Sequence, residues 1–480
     1  MAETLKEKTA RGLFWGAMNN GALQVIGLVF GIVLGRLLSP ADYGMVAMIT
    51  VFSLIATALQ NSGFITALTN LKQPTDNDYN SVFWFNISVG TLLYALLFFA
   101  APWIADYYHT PALVSLSRYA FLSILFASLS TAQSAYLFKN MLVKQRAKSG
   151  IIATLSSSIV GVVMAFAGLS YWALATQTIV YNIVNTALFW HYSPWRPNKH
   201  VDFRPVKRMF RFSCKLLATT ITTHINNNVL NILLGHYFTA HDTGNYNQAY
   251  QWDFKAYSVI QGMVDSVAQP VFVDLRDQPE RQLQALRKLI RFCAFISFPL
   301  MLGFGMVARE FILITITEKW IASAQLLQLL CISGAVLPIC SLLSSLIVSK
   351  GHSGTYFCVT FTLGVVQILT MATVWHWGIR NMVMAYVGLN LLWLFVWQYF
   401  VWRLIGYRLL SFLQDTLPFA LAALAVMTVT YFATVNIPQL VLLLLARIVM
   451  AMVLYYLVMR VARVAILSEC MAFVKRKIGK

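Results

Sequence analysis

Long runs of apolar residues recur along the whole chain, separated by short polar or basic segments. A helix needs about 20 mostly apolar residues to cross a bilayer. On that criterion the pattern predicts transmembrane helices near residues 12–36, 43–67, 81–105, 114–138, 149–170, 171–191, 212–238, 247–272, 290–314, 321–349, 353–375, 380–402, 415–434 and 438–459. The fold class predicted is therefore an all-α polytopic membrane protein with about fourteen transmembrane helices.

A weak internal repeat divides these helices into two sets. When the chain is shifted by 200 residues, LSPADYG (38–44) aligns with FTAHDTG (238–244), so that Asp42 meets Asp242 and Gly44 meets Gly244. Internal repeats with binding at their interface are typical of transporters. We therefore predict two six-helix lobes and two extra helices, with the boundaries 1–191 for the N-lobe, 192–211 for a basic cytoplasmic linker, 212–402 for the C-lobe, and 403–480 for the last two helices and a basic cytoplasmic tail.

Composition and charge agree with a membrane protein and orient it. The chain has 480 residues, of which 59% are hydrophobic and 11% charged, and its net charge is +19. In a polytopic protein this basic excess indicates cytoplasmic loops and anionic headgroup contacts rather than nucleic-acid binding. Twenty-eight of the 36 Lys and Arg residues lie in alternate connecting segments and at the two ends of the chain. Both termini are therefore predicted to be cytoplasmic. The segment 273–291 predicts an amphipathic helix on the membrane surface.

The seventh predicted span, 212–238, is unusually polar for its position. One charge at the bilayer centre costs on the order of 3 kcal/mol, so polar groups in such spans normally face a bundle interior or a wet cavity. Helical spacing puts one set of side chains on a single stripe and Lys215 on the opposite side: Ser213, Thr220, His224, Asn227, Asn228 and Asn231. We predict that this stripe lines a water-filled cavity and binds sugar hydroxyls. The alternative is that the amides only join neighbouring helices.

The eighth predicted span, 247–272, adds a second polar face, formed by Asn247, Gln251, Lys255, Ser258, Asp265 and Gln269. Lys255 is the candidate for binding an anionic group such as a diphosphate. An ion pair with Asp253 is the alternative. Asp253 and Asp265 are candidates for ion coupling, and a headgroup or loop contact is the alternative for Asp265.

Two arginines complete the candidate residues, and several motifs are absent. Arg118 lies near an external helix end, where such side chains normally extend to the headgroups. Arg447 interrupts LVLLLLARIVMAM in the last span and needs a partner, either a lipid phosphate or a helix carbonyl. No HExxH, HxxxH or CxxC motif supports a metal site, and no GxxxxGK[ST] motif supports ATP hydrolysis. No cofactor is therefore predicted.

Four segments resemble a known family: KEKTARGLFWGA (6–17), GRLLSPADYG (35–44), GNYNQAY (244–250) and TEKWIASAQLLQLLC (317–331). They are similar to recurring segments of the polysaccharide transport (Wzx-like, colanic-acid-exporter-type) flippases of the multidrug/oligosaccharidyl-lipid/polysaccharide (MOP) exporter superfamily. The resemblance covers nearly the whole chain. It implies a transporter rather than an enzyme, with two lobes around a central cavity that opens alternately to the two sides of the bacterial inner membrane.

The same resemblance implies a cargo and partners. The cargo would be an undecaprenyl-diphosphate-linked oligosaccharide, carried from the cytoplasmic to the periplasmic leaflet. Lys215 and Lys255 would be the cationic groups of the cavity, Arg118 would serve at an external gate, and Arg447 would face a lipid-tail groove. A polysaccharide polymerase and a chain-length regulator are implied as partners, together with membrane lipids.

Three rival functions differ in what they require of the sequence. A peptidoglycan lipid-precursor flippase would share the helix count. A multidrug cation antiporter would need carboxylates within the first six spans, whose cores contain no Asp or Glu. A membrane glycosyltransferase would need acidic residues in a sizeable external loop, and the predicted external loops are short.

Overall fold

The computed structural model describes residues 5–61, 64–199, 202–464 and 466–469. These residues form helices and connecting turns, with no β-strand among them. Contacts divide the chain into two compact units, Met1–Gly244 (unit 1) and Asn245–Lys480 (unit 2).

The helices of unit 1 are α1 Leu5–Leu37, α2 Pro40–Asn61, α3 Phe64–Asn70, α4 Asp76–Tyr107, α5 Leu113–Ala120, α6 Leu122–Ser128, α7 Thr131–Lys139, α8 Val143–Phe166, α9 Ser170–Tyr192 and α10 Arg204–Tyr237. The remaining helices are α11 Ala240–Asp274, whose first turn lies in unit 1, and α12 Pro279–Thr315, α13 Ile321–Gly334, α14 Leu337–Ser349, α15 Ser353–Val374, α16 Ile379–Ile405, α17 Leu409–Thr434 and α18 Leu440–Val461.

The prediction of a multi-pass helical membrane protein is confirmed. Within the described residues, ten helices are long and apolar enough to cross a membrane, or eleven when the run α5–α7, bent by 43°, is taken as one span. A helix or a run of helices lies at each of the fourteen predicted positions. At three of these positions the helices, α9, α10 and α11, are not among the ten or eleven candidate spans. The count of fourteen crossings therefore stays a prediction.

The segment between α9 and α10 packs against the start of α4. The loop charges predict that this end of α4 lies on the cytoplasmic side. Trp195 is buried against the rings of Tyr79 and Phe83. The Trp84 indole N–H donates to the Asn198 carbonyl at 2.8 Å. The predicted linker, 192–211, is longer than the connection observed, because α10 already begins at Arg204. Helix α10 packs against α2 and α4, and so belongs to unit 1, whereas the sequence placed it at the start of the C-lobe. The division into six-helix lobes stays a prediction.

The segment 273–291 does not form a separate surface helix, and that prediction is wrong. Helix α12 runs without a break over 37 residues from Pro279 to Thr315. Its apolar stripe enters the core of unit 2, where Leu286 and Ile290 are completely buried. The amphipathic pattern is real, but the apolar face packs against protein rather than lipid.

Three helices begin with the same reciprocal hydrogen bonds. At α2 the Ser39 backbone N–H donates to the Asp42 carboxylate at 2.8 Å, and the Asp42 N–H donates back to the Ser39 hydroxyl at 3.3 Å. Thr239 and Asp242 repeat this arrangement at α11. Thr75 and Asp78 repeat it at α4. Such boxes satisfy N–H groups that a helix start leaves unpaired. The two segments matched by the 200-residue shift therefore share a local structure as well as a sequence.

Candidate functional site

The amides of α10 are divided between the interior of unit 1 and its surface. Asn228 and Asn231 are 9% and 3% exposed. The Asn228 side-chain N–H donates to the His224 carbonyl at 2.9 Å, and the Asn231 amide donates to the Asn228 amide oxygen at 3.4 Å. The expectation that the whole stripe faces one wet surface is corrected for these two residues, which are held in helix packing.

The other candidates on α10 remain accessible. Asn227 is exposed and His224 is half-buried, and because they are three residues apart they lie on neighbouring parts of one helix face. The side chain of Lys215 lies outside the described residues. Substrate binding by His224, Asn227 and Lys215 therefore stays a prediction.

A pocket that the sequence did not reveal lies inside unit 1, and its lining is partly apolar and partly polar. It has a volume of about 210 Å³ and lies between α2, the α5–α6 run and α9. Its polar lining consists of Thr50, Ser53, Thr57, Ser123, Thr178 and Asn182. Thr50 and Thr57 follow Pro40 by about 15 and 25 Å along the helix, so the pocket lies well within the membrane-spanning part of α2.

The pocket's lining contains hydroxyl and amide groups but no charged side chain. The Thr50 hydroxyl donates to the Val46 carbonyl at 2.7 Å and the Ser123 hydroxyl to the Ala120 carbonyl at 2.7 Å. A hydroxyl that donates to the backbone keeps its oxygen as an acceptor. The pocket can therefore accept hydrogen bonds from a small neutral ligand rich in hydroxyl groups.

Sequence reasoning missed this pocket because its members are spread over three helices. Each hydroxyl is unremarkable within its own span, where Ser and Thr commonly bond to the preceding turn. A search for small polar residues at matching depths of neighbouring spans is the only sequence signal that could have pointed to it.

Helix α11 presents two different faces within unit 2. Trp252, Tyr257 and Ile260 are buried, whereas Gln251 is exposed and Lys255 is partly exposed. The Lys255 ammonium lies over the Trp252 ring, 4.5 Å from its centroid, a distance typical of a cation–π contact. Substrate binding by Lys255 and Gln251 stays a prediction.

The two candidate carboxylates of α11 have different surroundings. Asp253 is 2% exposed, and its carboxylate lies beside Gly334 of α13, where an added Cβ would come within 2.6 Å of the Asp253 oxygen. Asp265 is exposed and accepts a hydrogen bond from the Ser341 hydroxyl of α14 at 2.6 Å. Ion coupling by either residue stays a prediction. No group of three or more potential metal ligands occurs in the described part of the chain.

Arg118 is held by its own unit. Its side chain donates to the Phe98 carbonyl at 3.3 Å, and its guanidinium lies 4.3 Å from the centroid of the Phe98 ring. The contact fixes Arg118 of α5 against α4. A role at an external gate stays a prediction.

Arg447 lines an apolar groove of about 600 Å³ between α12, α17 and α18. The residue is 4% exposed, and its guanidinium forms an ion pair with Glu310 at 3.0 Å. It also donates to the Thr434 hydroxyl at 3.3 Å. Arg447 therefore has two partners on α12: the Glu310 carboxylate, which the sequence did not indicate, and the Met306 carbonyl at 3.4 Å, a helix carbonyl as predicted. Contact of this groove with a lipid carrier stays a prediction.

Comparison with known proteins identifies the family. The model of the family described as "Polysaccharide biosynthesis protein" matches residues 33–325, more than half of the chain. The chain belongs to this family. The resemblance to polysaccharide transport flippases is thereby confirmed.

Two proteins with similar sequences are named for the biosynthesis of polysaccharides. The chain is 26% identical to the lipopolysaccharide biosynthesis protein WzxC of Escherichia coli (strain K12), over 73% of this chain and 71% of WzxC. It is 24% identical to the succinoglycan biosynthesis transport protein ExoT of Rhizobium meliloti (strain 1021), over 74% of this chain and 72% of ExoT.

A solved structure shares the fold of this family member. The lipid II flippase MurJ, in an inward closed conformation, superposes with a TM-score of 0.74, covering 93% of this chain and 99% of MurJ at 13% identity. At that identity the likeness concerns the fold alone. Because the similar proteins are transporters and flippases, the prediction that the chain is not an enzyme is confirmed.

Proposed function

We propose that the chain is a flippase that moves undecaprenyl-diphosphate-linked oligosaccharide repeat units across the bacterial inner membrane by alternating access. The export would serve the synthesis of a surface polysaccharide. The observation that carries this proposal is membership of the polysaccharide biosynthesis protein family by a chain that has a flippase fold.

Three features of the described residues would each bind a different part of such a cargo: the sugar, the diphosphate and the polyprenyl tail. The pocket lined by Thr50, Ser53 and their neighbours offers acceptors to sugar hydroxyls. Lys255 supplies a cation for the diphosphate. The apolar groove beside Arg447 offers a surface for part of a polyprenyl tail, which would pack there by van der Waals contact, since lipid chains give it no hydrophobic driving force.

A test in cells separates this function from the peptidoglycan alternative, which the MurJ fold also supports. The gene is expressed in one strain that lacks its own polysaccharide exporter and in another depleted of its lipid II flippase. The proposal expects surface polysaccharide to return in the first strain and lipid-linked repeat units to stop accumulating there. Growth of the second strain without polysaccharide in the first would favour the peptidoglycan function instead.

A variant of Lys255 tests the site within that function. Lys255→Ala should lower surface polysaccharide while the amount of protein in the membrane stays unchanged, because the cation no longer meets the diphosphate. Lys148→Ala, which removes an exposed lysine of α8, is the matched control. If Lys255→Ala and Lys215→Ala combined leave polysaccharide output normal, the cationic part of the proposal is wrong.

A further inference from the structure

A polar pocket and an apolar groove lie one after the other along α4 in unit 1. The polar pocket has a volume of about 480 Å³ and is lined in part by Lys72, Asn77, Asp78, Asp202 and Arg204. The apolar groove, of about 490 Å³, is lined by Phe85, Ser88, Val89, Leu92, Phe203, Val206 and Lys207. Both are formed by α4 together with the segment that leads into α10.

The order of these two sites matches the order of polarity across one leaflet. Asn77 lies in the first turn of α4, and Phe85 and Leu92 follow it by about 12 and 22 Å along the helix. The polar pocket is at the end of α4 that the loop charges predict to be cytoplasmic. The groove lies deeper, where the apolar span begins. Leu92 and Phe203 are 59% and 46% exposed, so the groove is open to whatever surrounds the protein.

The seam between the two elements is built by specific contacts. The Asn77 side-chain N–H donates to the Asp202 carboxylate at 3.1 Å, and the Asn198 backbone N–H donates to the Asn80 side-chain oxygen at 3.0 Å. Inside the groove the rings of Phe85 and Phe203 pack edge to face, with centroids 6.5 Å apart. The walls of both sites are therefore held in place by the protein.

We propose that this seam binds one phospholipid with an aminoethyl headgroup, a phosphatidylethanolamine, from the leaflet on that side. Its acyl chain occupies the groove, and its phosphate meets Lys207 at the groove and Arg204 in the pocket. Its ammonium group meets Asp202, the partly exposed carboxylate of the pocket. The charges favour this occupant. Cationic and acidic side chains both line the pocket, so each charge of a zwitterionic headgroup has an oppositely charged neighbour, whereas a purely anionic headgroup would lie near Asp202 as well as near Arg204.

The length of the groove disfavours the lipid-linked cargo as the occupant. Along α4 the groove covers only the residues from Phe85 to Leu92, about 10 Å. That length suits part of one acyl chain and leaves most of a long polyprenyl tail without a binding surface.

Native mass spectrometry of the purified full-length protein tests the proposal. The protein is exchanged into detergent that contains phosphatidylethanolamine, phosphatidylglycerol or phosphatidylcholine, and the lipid retained is measured. We expect one phosphatidylethanolamine to be retained more strongly than either other lipid. Phosphatidylcholine keeps the charges but lacks the ammonium N–H donors. Equal retention of the three lipids would overturn the proposal.

Variants assign the retained lipid to this seam. Lys207→Glu should lower retention of phosphatidylethanolamine about fivefold, the effect of one lost exposed charge contact. Val89→Trp should block the groove, and Ser88→Trp, at an exposed position, serves if Val89→Trp does not fold. Lys148→Glu is the matched control and should retain the lipid normally. If Lys207→Glu and the groove variant behave as Lys148→Glu does, the lipid binds elsewhere and the proposal is wrong.

Discussion

Arg447 and Glu310 form a buried ion pair whose members are 4% and 3% exposed. Taking two charges out of water is costly, and their attraction compensates for that cost only while both are present. The guanidinium also lies 4.9 Å from the centroid of the Tyr431 ring. The pair therefore joins α12 to α18 beside the apolar groove.

Removal of one member of this pair should lower the free energy of unfolding more than removal of both. Arg447→Met should lower the free energy of unfolding by about 3 to 5 kcal/mol, because Glu310 would remain buried without its partner. Arg447→Met combined with Glu310→Leu should recover most of that loss. Thermal unfolding of the purified protein in detergent measures both. Arg380→Met, at an exposed position, is the control. Equal destabilisation by the single and double changes would contradict this account.

Asp415 is a second buried charged residue, and its surroundings differ from those of the Arg447–Glu310 pair. It is 1% exposed and accepts hydrogen bonds from Arg287 at 2.7 Å, Arg291 at 2.5 Å and the Tyr407 hydroxyl at 2.9 Å. Burial, together with the charge of Asp415, raises the pKa of Tyr407, which therefore stays protonated and donates. The carboxylate joins α12 to the start of α17.

Two acidic residues near this point allow a buried and an exposed ion pair to be compared. Asp415→Asn should destabilise the protein by about 2 kcal/mol, because the buried side chain loses charged hydrogen bonds while Arg287 and Arg291, 34% and 45% exposed, regain water. Glu469→Gln removes an ion pair with Lys288 whose side chains are 56% and 66% exposed, and should cost less than about 1 kcal/mol. Denaturation monitored by tryptophan fluorescence measures the free energy of unfolding of both variants. A cost for Glu469→Gln as large as that for Asp415→Asn would show that burial is not the cause.

The starts of α2 and α11 are in backbone contact. A Cβ added at Gly44 would lie 1.7 Å from the Ala240 carbonyl oxygen, and one added at Gly244 would lie 1.7 Å from the Pro40 carbonyl oxygen. The contact is thus reciprocal, as expected of two copies of one structural unit. Glycine is required here because the two helices approach each other too closely for any side chain.

Alanine at either glycine tests this contact between elements. Gly44→Ala or Gly244→Ala should separate the helix starts and markedly lower the yield and the thermal stability of the purified protein. Gly262→Ala is the matched control, because a Cβ at that helical position meets nothing within 4 Å. There alanine should be neutral or stabilising by up to about 1 kcal/mol. Normal stability of both Gly44→Ala and Gly244→Ala would contradict the close approach.

The three helices that are too polar for a hydropathy criterion decide the topology of the whole molecule. If α9, α10 and α11 all cross, as the charge distribution predicts, the connections before and after each helix alternate between the two sides. The loop between α10 and α11 then faces the periplasm, and those before α10 and after α11 face the cytoplasm. Both termini lie on the cytoplasmic side in that arrangement.

Labelling of single cysteines shows on which side of the membrane each of these loops lies. In a variant without its natural cysteines, Thr239→Cys should react in intact cells with a reagent that cannot cross the inner membrane. Lys199→Cys and Asp277→Cys, which are also at exposed positions, should react only after the membrane is opened. Reaction of all three in intact cells, or of none, would show that α10 and α11 do not both cross.

The positions of the helices could be predicted because the bilayer imposes them. A span must be apolar over about 20 residues, and Lys and Arg accumulate on one side, so hydrophobic length and charge are both visible in the chain. The repeat was visible for a similar reason. Residues 39–42 and 239–242 need the same capping groups, and Gly44 and Gly244 need the same absence of a side chain.

The surroundings of individual polar residues could not be predicted in this way, because they depend on neighbours that are distant in the chain. Asn227 and Asn228 are adjacent and about 100° apart on the helix, yet one is exposed and the other is packed. Arg447 is neutralised by Glu310, more than a hundred residues earlier. The hydroxyls of the unit 1 pocket meet only when three helices come together. Helical periodicity gives the direction of a side chain relative to its own helix, and the packing of the other helices determines what lies in that direction.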